Sequence, residues 1–257
     1  MPSSLDLSGR VAVVIGGTSG LGRAIAIGLA EAGADVVPTG RREALVREVR
    51  QQIEDLGRRS IAIPADVRSR ESIDALRERV LEEFRRVHIL VYAAGIVSRK
   101  PSLEVSEEEW ESALDINATG ALRACQSFFH ALAASGSGRV IHICSLNSFV
   151  SLREVAAYAA AKSALLSLTR SLAVEWAPLG VNVNAIAPGV FRTDFNRDLL
   201  DETERGRELL MRTPMQRFGC AEELTGAAVL LSSSAASYIT GQCIVVDGGF
   251  LASGVNS

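Results

Sequence analysis

The stretch 10-RVAVVIGGTSGLGRAIAIGLAEAG-33 decides the fold. A short β-branched run from Arg10 to Ile15 gives way to a glycine-rich turn, 16-GGTSGLG-22, and then to an alanine- and leucine-rich helical pattern. Glycines at 16, 20 and 22 permit a tight turn and keep side chains away from an approaching pyrophosphate. They also leave the following helix free to aim its first amides at that anion. A glycine-rich turn alone is weak evidence, but its place between a first strand and a helix raises dinucleotide binding above an ordinary strand-to-helix turn.

Outward from this unit the same alternation repeats. Candidate strands are 10-RVAVVI-15, 35-DVVPT-39, 60-SIAIP-64, 87-VHILVY-92, 139-RVIHIC-144, 181-VNVNAI-186 and 243-CIVVD-247, separated by longer helical patterns. The expected fold is α/β: a Rossmann-like, doubly wound parallel sheet of about seven strands with helices on both faces. In 69-SRESIDALRERVLEEFRR-86, Ile73, Leu76, Val80 and Phe84 form one apolar stripe, and Ser106 with Glu109 in 106-SEEEW-110 reads as a capping box. Pro38 conflicts with a central strand because it lacks a ladder donor, so the second strand should be short and end at or near it. No linker or repeat divides the chain, which implies one domain over 1–257. The long charged piece 189–214 reads as a lid or binding segment.

Composition narrows the function. Of the 257 residues 47% are hydrophobic, and the net charge is −3 with both signs interspersed, so no broad patch for nucleic acid or anionic lipid is visible. The start has no signal-peptide pattern and no apolar run reaches spanning length, which predicts a soluble cytoplasmic protein. Cys125, Cys144, Cys220 and Cys243 have no metal-like spacing and read as reduced thiols. His88, His130 and His142 lie far apart, so locally satisfied histidines are favoured over a metal site.

Two further stretches bear on chemistry. The end of the second strand, where an acidic residue would accept the adenosine ribose hydroxyls, reads 39-TGRRE-43. Arg41 or Arg42 can make charge-assisted hydrogen bonds to a 2′-phosphate, which favours NADP(H) and leaves NAD(H) possible; Asp66 is positioned for the adenine edge. In 154-EVAAYAAAKSALL-166, Tyr158 and Lys162 stand four apart on one helix face. Taken alone, that pair is equally compatible with an amphipathic core helix.

Taken together, GxxxGxG over Gly16 to Gly22, Asp66-Val67, Ala93-Ala94-Gly95, Asn117, Ser145, YxxxK at Tyr158 and Lys162, Pro188-Gly189 and 241-GQCIVVDGG-249 resemble the short-chain dehydrogenase/reductase family over essentially the whole chain. The resemblance implies a catalytic tetrad of Asn117, Ser145, Tyr158 and Lys162. It also implies a cofactor surface of Gly16, Thr18, Ser19, Gly20, Leu21, Gly22, Arg41, Arg42, Asp66, Val67, Ala94, Gly95, Tyr158, Lys162, Pro188, Gly189 and Thr193. A phenol titrates near about 10, too high for a base at neutral pH, but the Lys162 ammonium and an oxidised nicotinamide's charge would favour phenolate. Tyr158 is then the acid/base, Ser145 binds the substrate oxygen, and Lys162 holds the nicotinamide ribose. By the same resemblance Asn117 holds a water beside Lys162; without it, Asn117 reads as a helix irregularity. Ile15, Tyr92, Ala93, Cys144 and Asn182 depart from the family pattern without touching the tetrad.

The implied activity is NAD(P)-dependent interconversion of a secondary alcohol and a ketone, leaning to a sugar-acid or polyol substrate. The alternatives are a 3-oxoacyl thioester reductase and, from another class, a non-catalytic nucleotide sensor, which would need the glycine turn but no proton relay. Arg192, Arg197, Arg205, Arg207 and Arg212 in the lid are candidates to meet a carboxylate. The helix from about 155 to 177 also carries Ala156, Ala160, Ser163, Leu166, Ala173 and Trp176 away from the reactive pair, which predicts a homo-oligomer, a tetramer by analogy with the family.

Overall fold

The structure is a computed structural model describing residues 4–193, 200–201 and 203–254. Its centre is one parallel sheet of β1 (Val11–Ile15), β2 (Asp35–Thr39), β3 (Ile89–Tyr92), β4 (Gly138–Ile143), β5 (Val181–Pro188) and β6 (Cys243–Val246), ordered β2-β1-β3-β4-β5-β6. The helices are α1 (Gly20–Glu31), α2 (Glu43–Asp55), α3 (Arg70–Phe84), α4 (Glu107–Leu114), α5 (Gly120–Ala134), α6 (Ala156–Trp176), α7 (Glu204–Arg212) and α8 (Thr225–Ser232).

Strand period dictates the two-layered core. Along β1, Val11, Val13 and Ile15 face the layer that includes Val80, Phe128 and Leu165, while Ala12 and Val14 face Ile25, Leu29, Val49 and Leu231. Every residue of β1 and β3 is buried, as a sheet covered on both faces requires. The apolar stripe of α3 is buried at Ile73, Leu76, Val80 and Phe84, and the Ser106–Glu109 capping box opens α4.

The sheet has six strands among the described residues, not about seven, because 60-SIAIP-64 forms none. Pro38 supplies the reason. The segment runs beside β2 and is held at both ends, with the Val36 amide donating to the Arg59 carbonyl (3.1 Å) and the Ala65 amide to the Gly40 carbonyl (3.1 Å). By strand alternation the residue between them that faces the segment is Pro38, which has no N–H to give. The ladder is broken there, and β2, which ends at Thr39, becomes the sheet's edge.

A second expectation changes on α6. Leu166, Ala173 and Trp176 are buried within the chain itself, Trp176 against Phe129 with ring centroids 4.7 Å apart. They need no second subunit to cover them. His142, inside β4, is fully buried between Cys125 Sγ (3.3 Å) and Thr169 Oγ1 (2.9 Å). His88 accepts the Val11 amide at 3.0 Å. No described helix is long and apolar enough to cross a membrane.

Candidate active site

The strand order reverses direction between β1 and β3, and in open parallel sheets such a reversal, at the carboxyl ends of the strands, is where a ligand crevice forms. The glycine turn forms one wall. A Cβ on Gly16 (φ +82°) would lie 2.5 Å from the Ala94 amide nitrogen, and one on Gly22 would lie 2.1 Å from the Gly16 carbonyl oxygen. The turn after β1 and the turn after β3 therefore touch backbone to backbone, which only glycine permits. No side chain caps the first turn of α1, whose N-cap is Ser19, and no carboxylate lies in it. That bare helix start fits a pyrophosphate.

Some of the other predicted contacts lie against this turn. Thr18 is buried against Gly40, where a Cβ would meet its Oγ1 at 2.9 Å. Leu21 packs on the second core layer, and Gly20 opens toward Thr193, whose Cγ2 is the nearest atom to a Cβ there, at 3.8 Å. Arg41 and Arg42 are exposed at the end of β2, and Arg42 Nη2 donates to Ser19 Oγ at 3.2 Å. Asp66 is clasped by Arg68, Nη2 to Oδ2 at 2.6 Å, and this hydrogen bonding pulls its carboxyl down to about 2. Val67 is buried beside it. Pro188 ends β5, and Gly189 lies so close to Asp247 that a Cβ would fall 2.5 Å from its Cα.

Across the crevice the polar residues converge. Ser145 follows β4, and Tyr158 and Lys162 share a face of α6. Asn117 sits in a π-helical turn, Asp115–Thr119, between α4 and α5, so the irregularity read from the sequence is real and brings the residue inward. The Lys162 Nζ donates to the Ile143 carbonyl at 2.8 Å and lies 5.7 Å from the Tyr158 ring centroid. Burial pulls this ammonium down to about 8. Asn117 Nδ2 donates to the carbonyls of Ile96 (3.0 Å) and Ala113 (2.9 Å), while its Oδ1 is buried with no partner. A Cβ on Gly95 would meet that Oδ1 at 2.6 Å and Lys162 Nζ at 3.4 Å, so both groups border the same gap over Gly95.

Burial raises the Tyr158 phenol above its ordinary value, against a lowering hydrogen bond from Ser145. The protein's own groups therefore keep Tyr158 protonated; the Lys162 ammonium does not offset the loss of solvent. The Tyr158 ring also lines a small cavity of about 30 Å³ between α4 and α6, with Ile96, Lys100 and Glu154.

A rim of charge, of which the sequence singles out only Arg205, surrounds Glu154, which adopts a left-handed φ of +67°. Arg99 pairs with it at 2.7 Å, Arg205 donates to the Arg153 carbonyl at 3.2 Å, and the charges of Arg99 and Arg153 help hold the Arg205 guanidinium below its usual pKa, after burial. The signal was present in 97-VSRK-100 and 151-SLRE-154, which only the fold brings together. Of the other lid arginines, Arg192 pairs with Asp201, Arg212 stacks over Phe250 at 5.6 Å, and Arg197 lies outside the described residues.

A family model described as enoyl-(acyl carrier protein) reductase matches residues 16–251. The chain belongs to the short-chain dehydrogenase/reductase family. It is 40% identical over 251 residues to 2-dehydro-3-deoxy-D-gluconate 5-dehydrogenase of Escherichia coli K12, covering 97% of this chain and 98% of that protein. A solved structure from Beutenbergia cavernae, described provisionally as an NAD(P)-dependent gluconate 5-dehydrogenase with NADP bound at low occupancy, is 45% identical with a TM-score of 0.92, over 98% of this chain and 100% of that one. A 3-oxoacyl (acyl-carrier-protein) reductase of Agrobacterium tumefaciens C58 with NADP bound is 33% identical with a TM-score of 0.88, over 96% and 97% of the two chains. This short-chain dehydrogenase/reductase is thus an NAD(P)-dependent oxidoreductase.

Proposed function

We propose that the chain interconverts a secondary alcohol and a ketone on a sugar-acid substrate, with NADP(H) preferred and Tyr158 as acid/base. The observation that carries this reading is the convergence of Ser145, Tyr158 and Lys162, with the orphaned Asn117 Oδ1, on the crevice bordered by the glycine turn. A sensor needs the glycine turn but has no use for a buried ammonium and an unpartnered carboxamide oxygen bordering one gap.

A bound nicotinamide supplies or accepts the hydride and, when oxidised, adds a positive charge beside the phenol. Tyr158 gives its proton to the nascent alkoxide in reduction and takes the alcohol proton in oxidation. Ser145 Oγ hydrogen-bonds the same oxygen and stabilises its developing charge. Lys162 holds the nicotinamide ribose, and Asn117 Oδ1 accepts from a water beside it. Gly16, Thr18, Ser19, Gly20, Leu21 and Gly22 cradle the pyrophosphate, Arg41 and Arg42 take the 2′-phosphate, and Asp66 and Val67 meet adenine. Ala94, Gly95, Pro188, Gly189 and Thr193 line the remainder of the cofactor.

The sugar-acid preference draws on the arginine rim, where Arg99, Arg153 and Arg205 outnumber Glu154 and Glu208, and on the names of the relatives. The thioester alternative rests on the likeness to the 3-oxoacyl reductase. A panel of keto-sugars, keto-acids and 3-oxoacyl thioesters, read by NADPH and NADH oxidation, separates them. Turnover should be greatest with a keto-sugar acid and NADPH; tight cofactor binding without reduction of any carbonyl would favour the sensor.

The assembly we expect is a homotetramer in the cytoplasm. Val174, 79% exposed on α6, and Phe149, also exposed, are apolar and uncovered, and the four cysteines are free thiols. Light scattering that gives a monomer mass refutes the tetramer.

A further inference from the structure

We propose that Tyr92 is a positioning residue of the proton relay, its hydroxyl fixing the π-turn that aims the Asn117 carboxamide oxygen at Lys162. This rests on the relay assigned above. Tyr92 is the last residue of β3 and is completely buried. Its hydroxyl donates to the Ile116 carbonyl, the peptide oxygen immediately before Asn117.

The π-turn explains why that carbonyl needs an outside donor. In an α-helix the Gly120 amide would bond four residues back, to Ile116; here it donates five residues back, to the Asp115 carbonyl. Tyr92 supplies to Ile116 what the widened turn has taken away. Gly120 makes the room, since a Cβ there would lie 2.4 Å from the Tyr92 hydroxyl. Burial also pushes the phenol's pKa well up, so Tyr92 stays a neutral donor across the working range of pH.

The consequence falls on Asn117. Its Nδ2 is fixed by Ile96 and Ala113, and its Oδ1 borders the gap shared with Lys162 over Gly95. Tyr92 stands three residues before Gly95 on the same strand end, so one element sets both the floor of the gap and the turn that overhangs it. A widened turn free to relax to regular α-helix would rotate residue 117 by about 100° and carry the carboxamide out of the gap.

The test is a double-mutant cycle in the full-length enzyme with the best carbonyl from the panel. Tyr92→Phe should lower kcat about tenfold, the scale set by one orphaned buried acceptor, with NADPH Kd within about twofold of wild type. In an Asn117→Ala background the same substitution should change kcat less than about twofold. An unchanged kcat in Tyr92→Phe, an equal fall in both backgrounds, or a Kd that weakens in step with kcat would each overturn the proposal. Should Tyr92→Phe not fold, Gly120→Ala, which displaces the same hydroxyl, runs through the same cycle. Failure of the relay itself looks different: Asn117→Ala alone would then leave wild-type turnover intact.

Discussion

Gly16 and Gly22 shape the β1 wall of the crevice by leaving no room for a side chain, whereas Asn117, Ser145 and Lys162 shape the β4 wall with polar groups that are themselves buried. The first wall is an arrangement of backbone: a turn after β1 pressed on a turn after β3, with a bare helix start between them. Little on it titrates. The second wall holds an ammonium at 3% exposure, a carboxamide at 0% and a phenol whose pKa burial raises. Binding a constant anion needs only shape and amides, while moving a proton needs groups whose charge is made costly by removing water. The two walls should therefore fail in different ways.

Tyr158→Phe strikes the polar wall hardest. It keeps the ring and removes the proposed acid/base, so kcat should fall about 10³-fold or more, about 4 kcal/mol of barrier, while NADPH titrated by fluorescence still binds. Loss of binding in step with turnover would mean that the walls are not separable. Gly22→Ala strikes the other wall: a methyl 2.1 Å from the Gly16 carbonyl forces the turn apart. Stability in urea should drop by about 3 kcal/mol, and NADPH affinity should be lost in the fraction that folds. A variant that binds NADPH normally breaks the comparison.

Acid sharpens it. His142, beside the polar wall, has its pKa pulled from 6.5 to about 3 by burial and then by Lys162. Its folded-state pKa lies below the unfolded one, so between those values the unfolded chain binds the extra proton. Stability contributed by neutral His142 is complete above about pH 6.5 and is lost as pH falls, reaching about 2 kcal/mol by pH 5. Lys162, lowered from 10.5 to about 8, acts in the same sense in the alkaline window between those values, with stability rising as pH rises. His142→Asn should flatten the acid slope, measured by urea denaturation at pH 7, 6 and 5. An unaltered slope would place the titration elsewhere.

The shape of the glycine wall was readable from sequence because its information is local: three glycines spaced between a strand and a helix mark a tight turn with no side chains to fill it. Tyr158 and Lys162 were readable as a pair only through the period of α6, and Ser145 only beside them. Asn117 could be located but not explained, since a π-turn leaves no mark in hydrophobic period. The missing seventh strand was foreshadowed at Pro38, yet the chain alone did not say that its donorless side would face residues 60–64. Of the charged rim only Arg205 stood out in the sequence. Arg99, Glu154 and Arg205 lie in three separate segments, and their meeting depends on the strand order.

Arg42 gives the mildest test and the finest cut between the walls. It belongs to the backbone wall by position, but reaches it with a side chain, donating to Ser19 Oγ at 3.2 Å. Two functions are compatible with that geometry: gripping a 2′-phosphate, or steadying the turn through Ser19. A phosphate grip predicts that Arg42→Ala weakens NADPH about tenfold, the loss of one charge-assisted contact of about 1.4 kcal/mol, with NADH unchanged. A steadying role predicts that both cofactors weaken together, since the pyrophosphate is common to both. The ratio of the two dissociation constants, measured at one ionic strength, decides between them, because an exposed arginine's attraction is screened by salt.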